Sequence, residues 1–253
     1  MKKNKLFIGA LALLMAFTTA CSSKTENTTT TSQDKDTFTY AINSDPSSTN
    51  PINVSDRWGL TMTNMIYSPL IRVEGDGSLV NELAESTELA KDGLSLTVNL
   101  KKGIKWSDGQ DFTADDVVFT YETKAKKENG NFKSLWINDK PITVEKKDDH
   151  TVVFKFPEPS AAAANNIATE TYIIPKHIYG NVSDFSVKDL QEKPVGTGPY
   201  KLVENKRGEY IKFEANENYY KGKPNVKNVV LRVIQSADTA KVALQKGEID
   251  ASY

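Results

Sequence analysis

Cysteine is almost absent: Cys21 stands alone in 253 residues, so no intramolecular disulfide can form. Histidine is nearly as scarce. His150 and His177 lie 27 residues apart, and no H-E-x-x-H, C-x-x-C or G-x-S-x-G pattern occurs, so zinc-protease, redox and serine-hydrolase signatures are missing. Charge of one sign is also lacking, with 32 basic residues against 33 acidic ones, interspersed along the chain. That balance carries neither a nucleic-acid footprint nor a polybasic membrane patch. Long apolar runs are missing too. The longest, "LFIGALALLMAF", has twelve residues, too few to cross a bilayer as an ordinary helix.

What is present at the N-terminus has a recognisable order. "MKKNK" supplies three lysines, the twelve-residue apolar run follows, and "TTAC" ends in small residues at Cys21. That is the three-part layout of an export signal. The boundary resembles the lipobox of bacterial lipoproteins, with Thr18 where leucine is commonest. The resemblance implies cleavage before Cys21 and a diacylglycerol on its sulfur, two acyl chains being enough for stable anchoring. Residues 1–20 are therefore read as a lipoprotein signal peptide. Residues 21–36, rich in Ser and Thr and without an apolar side chain after Cys21, are read as a flexible tether. Removal of the signal leaves 29 basic against 33 acidic residues, a net charge of −4.

From Thr37 onward the pattern is one of strands and hairpins. "TFTYAIN" (37–43) puts Phe38, Tyr40 and Ile42 on one face, and "SDPSSTNP" is turn chemistry. A helix is expected over 56–68, with Trp58, Met62, Met65 and Ile66 as its stripe and Pro69 as its end. "GDG" (75–77) and "DG" (92–93) mark hairpin turns, and "LSLTVNL" alternates. Thr113 and Asp116 form a capping box for the helix in "TADDVVFTYETKAK". Residues 142–156 read as another hairpin, with His150 at its tip. Glu82, Glu85 and Glu88, three apart in "NELAESTEL", read as solvated charges at a helix-to-strand join.

"PVGTGPY" (194–200) is the most pointed stretch. A dinucleotide loop needs G-x-G-x-x-G opening a helix after a strand. Here the third position is Lys201, Pro199 intervenes, and strands follow at "YKLVENK" and "YIKFEA". Gly196 and Gly198 are thus read as turn glycines. "NVVLRVI" (228–234) is a further strand, and a helix with Ser236 as N-cap and Gly247 as stop closes the pattern.

"PVGTGPYKLVENKRGEYIKFEANENYYKGKPNVKNVVLRVI" and "ALQKGEID" resemble blocks of the extracytoplasmic solute-binding proteins of family 5, the peptide-type receptors of ABC importers. "GIKWSDGQDFTADDVVFTYE", "DDHTVVFKFPEPSAA" and "YIIPKHIY" match others, in the family's order. The resemblance implies an α/β, two-lobed, periplasmic-binding-protein-like (type II) clamp that closes over ligand by hinge motion. Residues 37–253 would be its N-terminal portion, with mixed β-sheet and hairpins. "GEID" lies near the middle of family members, so roughly as much sequence again is expected to follow, carrying the second lobe. On that expectation residues 21–253 alone bind ligand weakly, strands at 197–215 and 228–234 pair partly with returning strands, and Val242 and Leu244 are partly exposed.

The function implied is that of a substrate-binding lipoprotein capturing extracellular oligopeptides, held on the bacterial membrane through its anchor. Its partners would be ABC permease and ATPase subunits, with no cofactor, no metal and no enzymatic activity. A peptide or pheromone sensor, a nickel-type receptor and, more remotely, a cell-wall hydrolase are the alternatives. In the family the loop after the first strand lines the cleft, which corresponds to "INSDPSSTN" here. Ser44 and Asp45 are the candidate ligand contacts in it, turn capping serving equally to explain both. Phe132 and Trp136, in "GNFKSLWIND", are the other candidates, and Trp58 is assigned to the core stripe. Cells fed radioactive fatty acid should label the wild-type protein and not Cys21→Ala; equal labelling would remove the anchor.

Overall fold

The computed structural model describes residues 36–130, 132–160, 167, 171–185 and 193–253. The signal peptide and nearly all of the tether lie outside the described residues. Strand β1 (Thr37–Ile42) is followed by an irregular stretch to Asp56 and then helix α1 (Arg57–Ile66). Strands β2 (Ile71–Val73) and β3 (Leu79–Asn81) form a hairpin, and β4 (Ala84–Leu89) and β5 (Ser95–Leu100) lead to helix α2 (Ala114–Lys124). Short strands β6 (Trp136–Ile137) and β7 (Lys140–Pro141) precede the hairpin β8 (Thr143–Asp148) and β9 (Thr151–Lys155). After a single-turn helix, Lys176–Tyr179, come β10 (Tyr200–Lys206), β11 (Tyr210–Ala215) and β12 (Asn228–Val233). Helix Ala237–Gln245 and β13 (Ala251–Ser252) complete the chain.

These elements form a five-stranded and a four-stranded sheet with separate cores, besides the two-stranded pairs β2-β3 and β6-β7. The first has the order β10-β11-β12-β1-β13, with β1 parallel to both its neighbours. The run β12, helix, β13 is a crossover connection with β1 lying between its two strands, the usual way to join parallel strands. Parallel strands are covered on both faces, and β1 shows it. Ile42 packs with Met62, Ile66, Ile211 and Phe213, while Ala41 on the opposite face packs with Ala240, Ala243 and Ile249. Alternation along 37–43 therefore located only one of two buried faces. The second sheet is antiparallel, β4-β5-β9-β8. Its inner residues Leu96, Val98, Val152 and Phe154 meet Val117 and Tyr121 of α2, the Tyr121 and Phe154 rings standing 4.7 Å apart, edge to face.

Helix α1 has only ten residues, too short to persist on propensity. Burial of Trp58, Met62 and Ile66 holds it, each such side chain contributing about 1.5–3 kcal/mol. Its Asp56 N-cap accepts from the Gly59 amide at 3.0 Å. Burial pushes the Asp56 carboxyl up, but bonds from Ser47 and Gly59 outweigh it and hold the group below the usual range. The expected capping box of α2 is present, with Asp116 accepting from the Thr113 amide at 2.9 Å.

Strands β10, β11 and β12 pair with one another and, through β12, with β1. Among the described residues β10 is an edge of the sheet, and ion pairs Lys201–Glu214 and Lys212–Glu204 protect it with charge. Val242 and Leu244 are exposed, as expected.

Two readings change. Gly198 lies in a bend and Gly196 just before it, but neither has a positive φ. Their requirement is close approach: a Cβ at Gly196 would stand 1.8 Å from the Ile66 carbonyl oxygen, and one at Gly198 2.6 Å from the Ile66 carbonyl carbon. Glu82, expected in solvent, is 3% exposed. Its carboxylate receives Arg72 Nε at 2.9 Å and also meets Lys221 Nζ and the Tyr220 hydroxyl. Burial pushes this carboxyl up, and bonds from Lys221, Tyr220 and Arg72 together bring it below the usual glutamate range. Glu85 and Glu88 are exposed, on β4 and not at a helix end.

Gly196→Ala should destabilise the fold by at least about 3 kcal/mol in denaturant titration, at the severe end of overpacking. Gly75→Ala, where nothing lies within 4 Å, should stay within about 0.5 kcal/mol of wild type. Because the Glu82 carboxyl is depressed on folding, its contribution is present above the ordinary glutamate pKa of about 4.3 and is lost as pH falls below it. Glu82→Gln should flatten that acid limb. It should cost about 1–3 kcal/mol at pH 7, less than a fully buried pair because Arg72 and Lys221 remain partly exposed and screened. An unchanged acid limb would refute the linkage.

Candidate functional site

In open α/β sheets ligands bind beyond the carboxyl ends of the parallel strands. Here β12, β1 and β13 run parallel, and the chain leaves β1 into residues 43–56 at that end. The inner part of this loop is fixed. Asn50, fully buried, donates from Nδ2 to the Phe185 carbonyl at 2.8 Å and accepts from the Ile52 amide at 2.9 Å. The outer part, Asn43 and Ser44, is exposed. Asp45 is turned to structural use, its carboxylate accepting from the Gly208 amide in the β10–β11 turn at 2.8 and 3.1 Å. Of the two loop candidates, Ser44 is thus the one offered to solvent, and Asp45 holds the loop against the sheet.

An aromatic group backs the loop. The Trp58 indole donates from Nε1 to Asn43 Oδ1 at 2.6 Å, and its ring lies 6.1 Å from Tyr40 and 6.3 Å from Tyr253. The Arg57 guanidinium sits 4.9 Å over the Trp58 ring. The Tyr253 hydroxyl donates to the Ile234 and Gln235 carbonyls, both at 3.2 Å, tying that ring to the end of β12. Trp58 is 6% exposed, in keeping with its place in the core stripe. Its polar edge nevertheless positions Asn43. Asn43, Arg57 and Tyr253 had no sequence signal, since only the sheet's strand order brings them to one end.

Phe132 and Trp136 come together, edge to face at 5.6 Å. Trp136 donates from Nε1 to the Ala125 carbonyl at 2.8 Å and packs on the core of the antiparallel sheet. The chain just before Phe132 runs beside the first-strand loop, since a Cβ at Gly130 would lie 3.5 Å from Asn53 Cβ.

His177 Nε2 pairs with Asp108 at 2.8 Å on the edge of Trp106, and His150 is at its hairpin tip. Asp116 is buried and accepts from the Thr113 and Lys176 amides and Trp106 Nε1; burial raises its pKa despite these bonds. Among the described residues no group of three or more His, Cys, Asp or Glu is placed to hold a metal ion, and no helix is long and apolar enough to cross a membrane.

Residues 78–253 match the family described as "Bacterial extracellular solute-binding proteins, family 5 Middle". The oligopeptide-binding protein AppA of Bacillus subtilis (strain 168) is 37% identical over 99% of this chain and 48% of its own length. The solved structure of AppA in complex with a nonapeptide aligns with a TM-score of 0.78 at 36% identity, over 84% of this chain and 43% of that one. The ABC transporter substrate-binding protein CtaP of Listeria monocytogenes aligns with a TM-score of 0.79 at 38% identity, over 86% of this chain and 44% of that one. This chain therefore spans about half the length of AppA, and its fold is that of part of a type II periplasmic-binding-protein-like clamp. With a family match over residues 78–253 and such identity along nearly all of its length, the chain belongs to the bacterial extracellular solute-binding proteins of family 5.

Proposed function

We propose that this chain is part of the substrate-binding receptor of an ABC importer and captures oligopeptides on the extracytoplasmic side of the membrane. The observation that carries the reading is its likeness to AppA, whose solved structure holds a nonapeptide, together with an exposed polar loop at the carboxyl ends of three parallel strands. In this reading Asn43 and Ser44 present backbone and side-chain groups to an extended peptide. Main-chain pairing gives affinity that tolerates many side chains. Asp45 and Trp58 hold the loop in place, and Phe132 and Trp136 border it from the neighbouring segment. Enclosure comes from closure of a second lobe, which excludes competing water. Cys21 supplies the membrane anchor, and permease and ATPase subunits receive the cargo. The protein acts as a receptor and leaves its ligand chemically unchanged.

The protein expressed from its complete reading frame should bind a nonapeptide with one-to-one stoichiometry in calorimetric titration. Mass spectrometry after long incubation should return the peptide intact; cleavage in excess of protein would replace the receptor reading with a hydrolase. Ser44→Trp, a change at an exposed position, should weaken binding at least about tenfold, equivalent to 1.4 kcal/mol, without altering stability. Unaltered affinity in that variant would remove the first-strand loop from the site.

A further inference from the structure

A cavity of about 460 Å³ opens at the C-terminal end of α2. Trp136, Pro141, Ile142 and Val144 line it with apolar surface, and Glu122 and Glu128 line it with carboxylates. Neither glutamate forms an ion pair among the described residues. The Trp136 ring is held by its indole bond to the Ala125 carbonyl and by the edge contact with Phe132. One cation already uses that ring: the exposed Lys127 has its Nζ 4.4 Å from the centroid.

We propose that this cavity binds an organic cation, a guanidinium or ammonium head on an apolar stem, and that Lys127 occupies the place of that head when the cavity is free. An indole face attracts a cation through its quadrupole, and attraction grows as water is excluded. The apolar walls suit a short methylene stem, and the C-terminal end of α2 adds partial negative charge to that of Glu122 and Glu128. Lys126 and Lys127 also line the cavity and balance the two glutamates, so the free site is neutral and its own lysine competes with the ligand. A neutral or anionic ligand would gain nothing from the ring. The ligand is either a small free cation or the basic side chain of a peptide, the recognition chemistry being the same for both.

Tryptophan fluorescence reads this site selectively, because Trp58 and Trp106 are 6% and 0% exposed whereas Trp136 is partly exposed. Agmatine should give a saturable change on the full chain, and butylurea, a neutral analogue, should give none. A blocked Gly-Arg-Gly peptide in a parallel titration separates the sources: response to agmatine identifies a free cation, and response to the peptide alone identifies a side chain. Lys127→Ala, which removes the competitor, should tighten binding roughly three- to tenfold. Glu128→Gln, at an exposed position, should weaken it several-fold without disturbing packing, and Trp136→Leu, followed by calorimetry because it removes the reporter, should abolish it. Equal response to butylurea, or unaltered affinity in Lys127→Ala, overturns the proposal. The cation site shares Trp136 with the border of the first-strand loop but not Ser44. Ser44→Leu, which adds no second exposed indole, should leave the Trp136 response intact while weakening peptide binding, so failure of either reading is separately visible.

Discussion

The approach of residues 196–198 to the end of α1 is the contact on which the rest of the structure depends. The Gly198 amide donates to the Ile66 carbonyl at 2.8 Å, and the Gly196 carbonyl accepts from the Ser107 amide at 2.9 Å. Asn216 closes the other side, donating from Nδ2 to the Gly198 carbonyl at 2.8 Å. Val195, just before the crossing, packs on the core of the antiparallel sheet, and Tyr200, just after it, packs on the core of the parallel one. Six residues, 195–200, thus join both cores, and they fit because two of them carry no side chain. Backbone groups this deeply buried need partners, and each of these bonds satisfies one.

Two buried carboxylates fasten the same body in opposite electrostatic senses. Glu82 meets two cations and a hydroxyl, so folding favours its charge. Asp116 accepts from two amides and an indole with His177 nearby, and burial outweighs them. Its raised pKa means that ionisation opposes folding as pH rises from the ordinary aspartate value through the folded one. Acid therefore weakens the Glu82 junction while relieving Asp116. The difference lies in what each group faces, since both sit in short polar segments that look alike as sequence.

The exposed loop after β1 follows from strand order in the same way. Residues 43 and 44 are exposed because β1 ends there, and they are held because Trp58, Asp45 and Asn50 reach a helix, a hairpin turn and residue 185. Those partners are distant in the chain. Sequence patterning pointed to the loop through the family resemblance, yet Ser44 and Asp45 looked equivalent there. The bond from the Gly208 amide separates them, and 163 residues lie between its partners.

Local physics was legible in the sequence where it depends on neighbours along the chain. The α1 stripe, the α2 capping box, the Ser236 cap, the Gly247 stop with φ of 71°, and the hairpins with alternating strands all rest on spacings of a few residues. Family membership was legible too, because its blocks run in order along the chain. Tertiary structure alone decided the reason for Gly196 and Gly198, the burial of Glu82, the second buried face of β1, and the meeting of Asn43, Trp58 and Tyr253. Each of these depends on which distant segment lies within a few ångströms. A periodicity of two or 3.6 records the face a residue presents, and not what comes to cover it.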